Sequence, residues 1–189
     1  MWLGEMPEHW EVRRDGRLFA QRNRNGRPMC RFLRSRDSVK GHYVIIAHLP
    51  HARAIRVGAL GERVFPRGFF AYVGSALGGL EGRLRRHLHP PAPRPRWHID
   101  YLLQRAPPRE AIWALADGGR ECPVARMLSD RFEAVKCFGA SDCRCPSHLF
   151  HSGFLNGLRG AVAQAFRALG RKPVAAVLRG DQWRGLPVS

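Results

Sequence analysis

The sequence predicts a domain of the α/β (α+β) class containing an antiparallel sheet, and three observations predict it. Apolar and β-branched runs of strand length occur, above all His42-Tyr43-Val44-Ile45-Ile46-Ala47-His48-Leu49, which lacks polar alternation and reads as a buried strand. The connections between the first strands are short and turn-rich, which favours antiparallel pairing, because parallel neighbours need a crossover of about a dozen residues. Elsewhere leucines recur at helical spacing. The chain of 189 residues allows one such domain with appendages, or at most two small ones. Its 44% hydrophobic and 10% aromatic content can build a core and excludes wholesale disorder.

The elements follow in order. Residues 1–40 include Arg13-Arg14-Asp15-Gly16-Arg17 and Gln21-Arg22-Asn23-Arg24-Asn25-Gly26-Arg27-Pro28, polar with little periodicity. They read as a flexible basic arm, with an upstream extension from a misplaced start codon as the alternative. Order begins near residue 41 with the first strand. Ala54 to Ala59 and Phe69 to Ser75 give two more, with Gly61 and Pro66-Arg67-Gly68 punctuating the connection. Leu80 to Leu88 is a short helix with Leu80, Leu84 and Leu88 on one face. Pro90-Pro91-Ala92-Pro93-Arg94-Pro95 is an extended loop, since proline fixes φ and lacks an N–H. Trp97 to Gln104 is a helical turn or helix, Ala111 to Ala116 a strand, Cys122 to Phe132 a helix and Ser147 to His151 a short strand. Phe154 to Leu169 is a last helix, apolar at Leu155, Leu158, Val162, Phe166 and Leu169. The predicted organisation is therefore an arm at 1–40, a domain at 41–151, and a C-terminal helix and tail at 152–189.

Charge narrows the partners. The formal net charge is +17, and all but Lys40, Lys136 and Lys172 of the 32 basic residues are arginine. Codon bias can put arginine in place of lysine, but it does not explain the shortage of acids. Such an excess is the electrostatic footprint of a protein that meets a polyanion, most often nucleic acid, by neutralising phosphates. No apolar run approaches the roughly 18–20 residues of a membrane span, and no basic amphipathic helix stands out, so no membrane partner is expected. The first ten residues hold Glu5 and Glu8 and show no basic-then-apolar leader, so the cytoplasm is the expected location.

Several residues could carry chemistry. Gly41-His42-Tyr43 opens the first strand and Tyr72-Val73-Gly74 lies in the third. Arg83 and His87 sit one helical turn apart, and Glu121 precedes the third helix. Taken singly, each has a plain structural explanation: a core tyrosine, a solvated arginine, a glutamate at a helix start. As an ordered set they resemble the GIY-YIG endonuclease superfamily, Gly41-His42-Tyr43 and Tyr72-Val73-Gly74 standing for its two tripeptides, with Arg83, His87 and Glu121 at its arginine, histidine and metal-glutamate positions. Further strings resemble its Uri-type branch: Tyr72-Val73-Gly74-Ser75-Ala76-Leu77-Gly78-Gly79-Leu80, Trp97-His98-Ile99-Asp100-Tyr101-Leu102, Glu121-Cys122, Phe138-Gly139-Ala140-Ser141-Asp142-Cys143 and Cys145-Pro146-Ser147-His148-Leu149. The resemblance covers about residues 41–151. His42 replaces the family's isoleucine, and Tyr43 and Tyr72 lie 29 positions apart, longer than typical, a length the strand at Ala54 to Ala59 absorbs. The family's polar residue after the glutamate has Ser141 and Asp142 as candidates.

The resemblance implies a small central antiparallel sheet flanked by helices, and phosphodiester hydrolysis in DNA with one divalent cation, Mg²⁺ or Mn²⁺. Glu121 would bind that cation, since one carboxylate plus retained waters suits Mg²⁺. Arg83 would grip non-bridging phosphate oxygens with its planar fork. Tyr43 would be the general base or relay, which requires its pKa to fall well below about 10, while Tyr72 orients water or phosphate and His87 shares either role. Arg85, Arg86 and His98 would contact the nucleic acid, and Asp100 is a candidate second metal carboxylate. Fusion of some family members to a base-excision glycosylase implies a repair setting and a repair-enzyme partner, by analogy.

The cysteines form a second constellation. Cys143-x-Cys145-x-x-His148 with Cys122 could complete a tetrahedral structural zinc site, although Cys-x-Cys is tighter than the usual gap. A disulfide from Cys122 to one of the pair, or buried free thiols, are the alternatives. If present, zinc would fix Cys122, and with it Glu121, against the sheet; Cys30 and Cys137 look unpaired. Three functions follow as expectations: a metal-dependent endonuclease, a nucleic-acid-binding module without chemistry, or a zinc-stapled interaction domain associated with a repair enzyme.

Overall fold

In a computed structural model, which describes residues 10–12, 18–20, 39–88, 94–116, 118–119, 121–179 and 182–186, the elements run in chain order as follows. They are β1 (Trp10–Val12), β2 (Leu18–Ala20), β3 (Gly41–Leu49), β4 (Arg53–Arg56), β5 (Glu62–Phe65), β6 (Gly68–Ala76), α1 (Leu80–Leu88), α2 (His98–Leu103), β7 (Pro108–Leu115), α3 (Cys122–Ser129), β8 (Glu133–Ala134), β9 (Leu149–Ser152), α4 (Leu155–Ala168), β10 (Val174–Arg179) and β11 (Gln182–Leu186). Nine strands make one sheet in the order β2-β1-β11-β10-β7-β3-β6-β9-β8, with every adjacent pair antiparallel. The predicted class, an antiparallel sheet flanked by helices, is the one observed.

The central strand β3 explains the architecture. Its alternate residues enter two different cores. Tyr43, Ile45, Ala47 and Leu49 pack with Phe70 of β6 against Leu80 and Leu84 of α1, Ile99 and Leu102 of α2, and Ile55 and Phe65 of the β4–β5 hairpin. Val44 and Ile46 pack with Ala71 and Val73 against Leu128 of α3 and Leu158, Val162 and Phe166 of α4. A strand covered on both faces has no place for polar alternation, which is why it reads as one apolar run.

The stretch read as a strand at Ala54 to Ala59 is corrected. The strand ends at Arg56, and Gly58 (φ 45°) and Gly61 (φ 71°) bracket a single 3-10 turn. The chain then returns as β5, pairing with β4 outside the main sheet. Only Phe65 of β5 is buried, so hydrophobic patterning gave no sign of it. Beyond residue 151, α4 covers one face and β10 pairs with β7, continuing the sheet that β3 centres. Within the predicted arm, Trp10–Val12 and Leu18–Ala20 are strands; the rest of residues 1–38, Cys30 among them, and residues 89–93 of the proline-rich stretch lie outside the described residues.

One ion pair ties α4 to the sheet. Glu110 of β7 is 3% exposed and accepts from Nε of Arg159 at 2.8 Å and from its Nη2 as well. Removing one partner leaves the other charge buried and unpaired, which costs more than removing both. Arg159→Leu is expected to destabilise the fold by about 2–3 kcal/mol in urea unfolding, and Glu110→Leu added to it to restore most of the loss.

Candidate functional site

The site lies at the end of the sheet where β9 stops. β9 pairs with β6 only from Phe69 to Tyr72, so the last residues of β6 have no strand on that side. The loop entering β9 covers them instead, and the Val73 N–H donates to the His148 carbonyl at 2.9 Å.

Register brings the two tyrosines together. Tyr43 lies opposite Gly74, and Tyr72 opposite Ile45, so the phenols are diagonal neighbours on one face with ring centroids 6.5 Å apart. Gly74 is there for space: a methyl group on it would lie 2.5 Å from the Tyr43 hydroxyl oxygen. Gly139 does the same for Tyr72, whose ring would be 2.8 Å from its methyl, and its φ of 69° independently favours glycine.

From Tyr43 a polar chain runs through α1 to α2. The Tyr43 hydroxyl is 3.0 Å from Nε2 of His87, and Nδ1 of His87 faces Oδ1 of Asp100 at 4.0 Å, just beyond hydrogen-bond reach and with no other partner. The adjacent carboxylate favours the proton on Nδ1, which leaves Nε2 to accept the Tyr43 O–H. Asp100 is held in turn. Its Oδ2 accepts from Nη2 of Arg86 at 2.5 Å and from the backbone N–H groups of Arg96 at 2.8 Å and Trp97 at 3.1 Å. Burial would raise the Asp100 carboxyl, but these hydrogen bonds and the Arg86 charge hold it below its ordinary value.

Burial governs the remaining protonation states. It pushes Tyr43 well above 10, with Tyr72 adding and Arg83 opposing. Tyr72 is raised for the same first reason, with the Glu121 charge adding. The expectation that Tyr43 falls below 10 is therefore corrected: the phenol is 2% exposed and is a proton donor. Burial also lowers His87 to about 4, against the pull of Asp100 and with Arg83 and Arg86 reinforcing it, so the ring is neutral. The unfolded chain, with His87 near 6.5, then binds its proton more readily than the folded one, so stability falls as pH drops from 6.5 toward 4. In urea unfolding at pH 7.5 and 4.5, that fall is expected to be shallower in His87→Gln by about 2–3 kcal/mol.

Glu121 reaches the open edge of β6 from the α3 side. Its Oε1 lies 3.3 Å from Nδ1 of His148. Burial works to raise the carboxyl, but hydrogen bonds from His148, its own backbone N–H and Ser75 outweigh it and bring the group down to about 2. Its charge is felt by Tyr43 and Tyr72. Sequence reasoning missed Ser75, which sits in the quoted string but on the opposite face from the tyrosines. It also missed His42, fully buried, which bonds the Gly119 carbonyl at 3.2 Å and the Arg171 guanidinium, and so ties down the loop before Glu121.

Behind Glu121, Cys122, Cys143, Cys145 and His148 converge, with one ligand atom of each within 4.8 Å of the others. Nε2 of His148 is 3.4 Å from Sγ of Cys143 and 3.9 Å from Sγ of Cys122. Ligands of a tetrahedral zinc ion, with bonds of about 2.0–2.3 Å, lie about 3.5–3.8 Å apart. The donor set and its spacing therefore fit a closed Cys₃His site able to hold such a metal. Burial and the neighbouring thiols push Cys122 up to about 12, a preference for the neutral thiol that a dication between the sulfurs would reverse. The disulfide alternative is not what forms: Cys122, Cys143, Cys145 and the exposed Cys137 are all free.

Other expected contacts are redistributed. Arg83 is half-buried beside Trp97, its Cζ 5.2 Å from the indole centroid, and its charge acts on both phenols. Arg85 is exposed on α1. Arg86, expected as a nucleic-acid contact, gives its Nη2 to Asp100. Asp100, the candidate second metal carboxylate, is buried with Oδ2 on Arg86 and two backbone N–H groups and Oδ1 toward His87. His98 accepts the Gly139 N–H at Nδ1, 3.0 Å away, and packs on Phe138, which makes it a brace for the Tyr72 surroundings.

The chain belongs to DUF123, a domain of unknown function, which it matches over residues 42–171. The GIY-YIG assignment is corrected accordingly: it rested on short strings within 41–151, whereas the match runs on through α4 and is to a different family. No curated protein and no solved structure matches the chain. No helix among the described residues is long and apolar enough to cross a membrane.

Proposed function

We propose that this protein hydrolyses phosphodiester bonds in nucleic acid, with DNA the first substrate to test, and that its Cys₃His cluster carries structural zinc. One observation carries the reading: two phenols, a neutral imidazole, a guanidinium and an ionised carboxylate share one end of the sheet in a chain of charge +17. Arg83 holds the non-bridging phosphate oxygens. The proton of an attacking water passes through the Tyr43 hydroxyl to Nε2 of His87, and Asp100 compensates the imidazolium that results. Tyr72 orients the phosphate or the water. A carboxylate offers about four acceptor positions, and Glu121 uses three on His148, Ser75 and its own N–H. The fourth fits a hard cation that keeps most of its waters, Mg²⁺ or Mn²⁺, which when bound would neutralise charge at the phosphate. Zinc thiolates of this kind suit the reducing cytoplasm.

The test is incubation of the purified protein with plasmid, single-stranded and branched DNA in Mg²⁺ or Mn²⁺. Cleavage is expected, falling at least tenfold in Glu121→Ala and in Arg83→Ala. An inactive wild type, or variants that cleave equally well, would falsify the reading. Salt-sensitive binding without turnover would make the protein a nucleic-acid-binding module instead.

A further inference from the structure

We infer that Trp97 is a stacking platform for an unpaired nucleobase, so that the substrate class is single-stranded or splayed nucleic acid. The inference rests on the reading of Arg83 as the phosphate-holding cation. Trp97 belongs to a string whose other apolar members are in the core, Ile99 and Leu102 being fully buried, yet its own side chain is 49% exposed. Its backbone explains the position but not the residue. The φ of −112° and ψ of 153° are extended and open to any amino acid, and the contact to Asp100 is made by the Trp97 N–H. An indole outside the core is therefore not required by the fold.

Its surroundings are cationic. The Arg83 guanidinium lies against the ring, and Arg94 and Arg96 are exposed in the segment that leads into it. Phe154, 82% exposed just before α4, is the contrasting case, since among the described residues no cation is stacked on its ring. A broad π face beside arginines is the arrangement by which proteins hold single strands, the cations following phosphates while aromatic rings take bases. A duplex cannot use it, because its base faces are already stacked on one another. Because the Arg83 guanidinium lies against the indole and its charge reaches both phenols, the base on Trp97 lies next to the phosphate that Arg83 grips.

The experiment is fluorescence anisotropy with a labelled single strand and a blunt duplex of equal length, without added divalent cation so that turnover is not needed. Base stacking is worth about 1–3 kcal/mol per base, so Trp97→Ala is expected to weaken single-strand binding about tenfold and duplex binding less than twofold. Trp97→Phe should retain most of the affinity, and Trp97→Leu, with bulk but no π face, should behave as the alanine variant does. The dependence on salt should be the same in wild type and Trp97→Ala, because no phosphate contact is removed. Equal losses on both DNAs, a fully binding leucine variant, or no loss at all would overturn the inference. Because binding and cleavage are read separately, a chain that cleaves without depending on Trp97 overturns this inference alone. A chain that binds with this dependence and never cleaves supports it and overturns the hydrolase.

Discussion

Replacing Cys143 with serine is expected to abolish metal binding and to cost about 5 kcal/mol or more of stability. Metal content per chain by mass spectrometry and urea unfolding together measure it. The magnitude follows from what the four ligands join. Cys122 begins α3, Cys143 and Cys145 lie in the irregular segment between β8 and β9, and His148 is the last residue before β9. A structural metal contributes its binding free energy directly to folding, about 10–16 kcal/mol in small zinc domains, and a segment with little regular structure has few other sources. Cys137→Ser is the control, because that thiol is exposed and outside the cluster. A Cys143→Ser protein that melts with the wild type and keeps one metal per chain would show that Cys143 is not a ligand, and a wild type that holds no metal would remove the metal centre from the fold. The same variant bears on chemistry, because a metal on Nε2 of His148 obliges Nδ1 to carry the proton that it gives to Glu121. Its loss frees the histidine to change tautomer, and the carboxylate loses the partner that fixes it.

Gly74→Ala is the second change with a large expected effect. The added methyl must occupy space held by the Tyr43 ring, which is buried and backed by His87 at a centroid distance of 5.5 Å. Overpacking of this kind costs about 1–3 kcal/mol, and the ring that yields is the one whose hydroxyl meets Nε2 of His87. A displacement of about 1 Å in a reacting group lowers turnover by about a hundredfold. We therefore expect modest destabilisation in thermal unfolding and a loss of turnover far beyond it. Full activity with an unchanged melting profile would show that Tyr43 does not act through this geometry. Tyr43→Phe, which keeps the ring and removes the hydroxyl, isolates the chemical part.

The sequence reveals those elements whose burial is periodic. Leu80, Leu84 and Leu88 mark α1 to the residue, and the apolar face of α4 places it within one residue at either end. β5 and β10 were not visible, one because a single residue of it is buried, the other because its alanines carry little strand preference. The cysteine set could be named in advance, since thiols and an imidazole at close spacing have few other uses. The partners of Asp100 could not. They depend on how α1 and α2 approach across the proline-rich stretch, and no local pattern encodes that distance. The direction of the Tyr43 shift was hidden for a related reason, because charge neighbours can be guessed from motifs whereas burial at 2% exposure cannot.

The short reach of β9 has a consequence for the protein's behaviour in concentrated solution. Past Tyr72, the side of β6 that faces away from β3 has no strand beside it, and unoccupied strand edges recruit edges from other molecules. The loop carrying His148, Cys143 and Cys145 lies over that edge. With a metal on the Cys₃His cluster, that loop would do for this sheet what a charged or proline-blocked border does for others: it would keep one copy from adding its strand to the next. Chains stripped of metal should self-associate before they unfold, with light scattering rising ahead of the loss of circular dichroism.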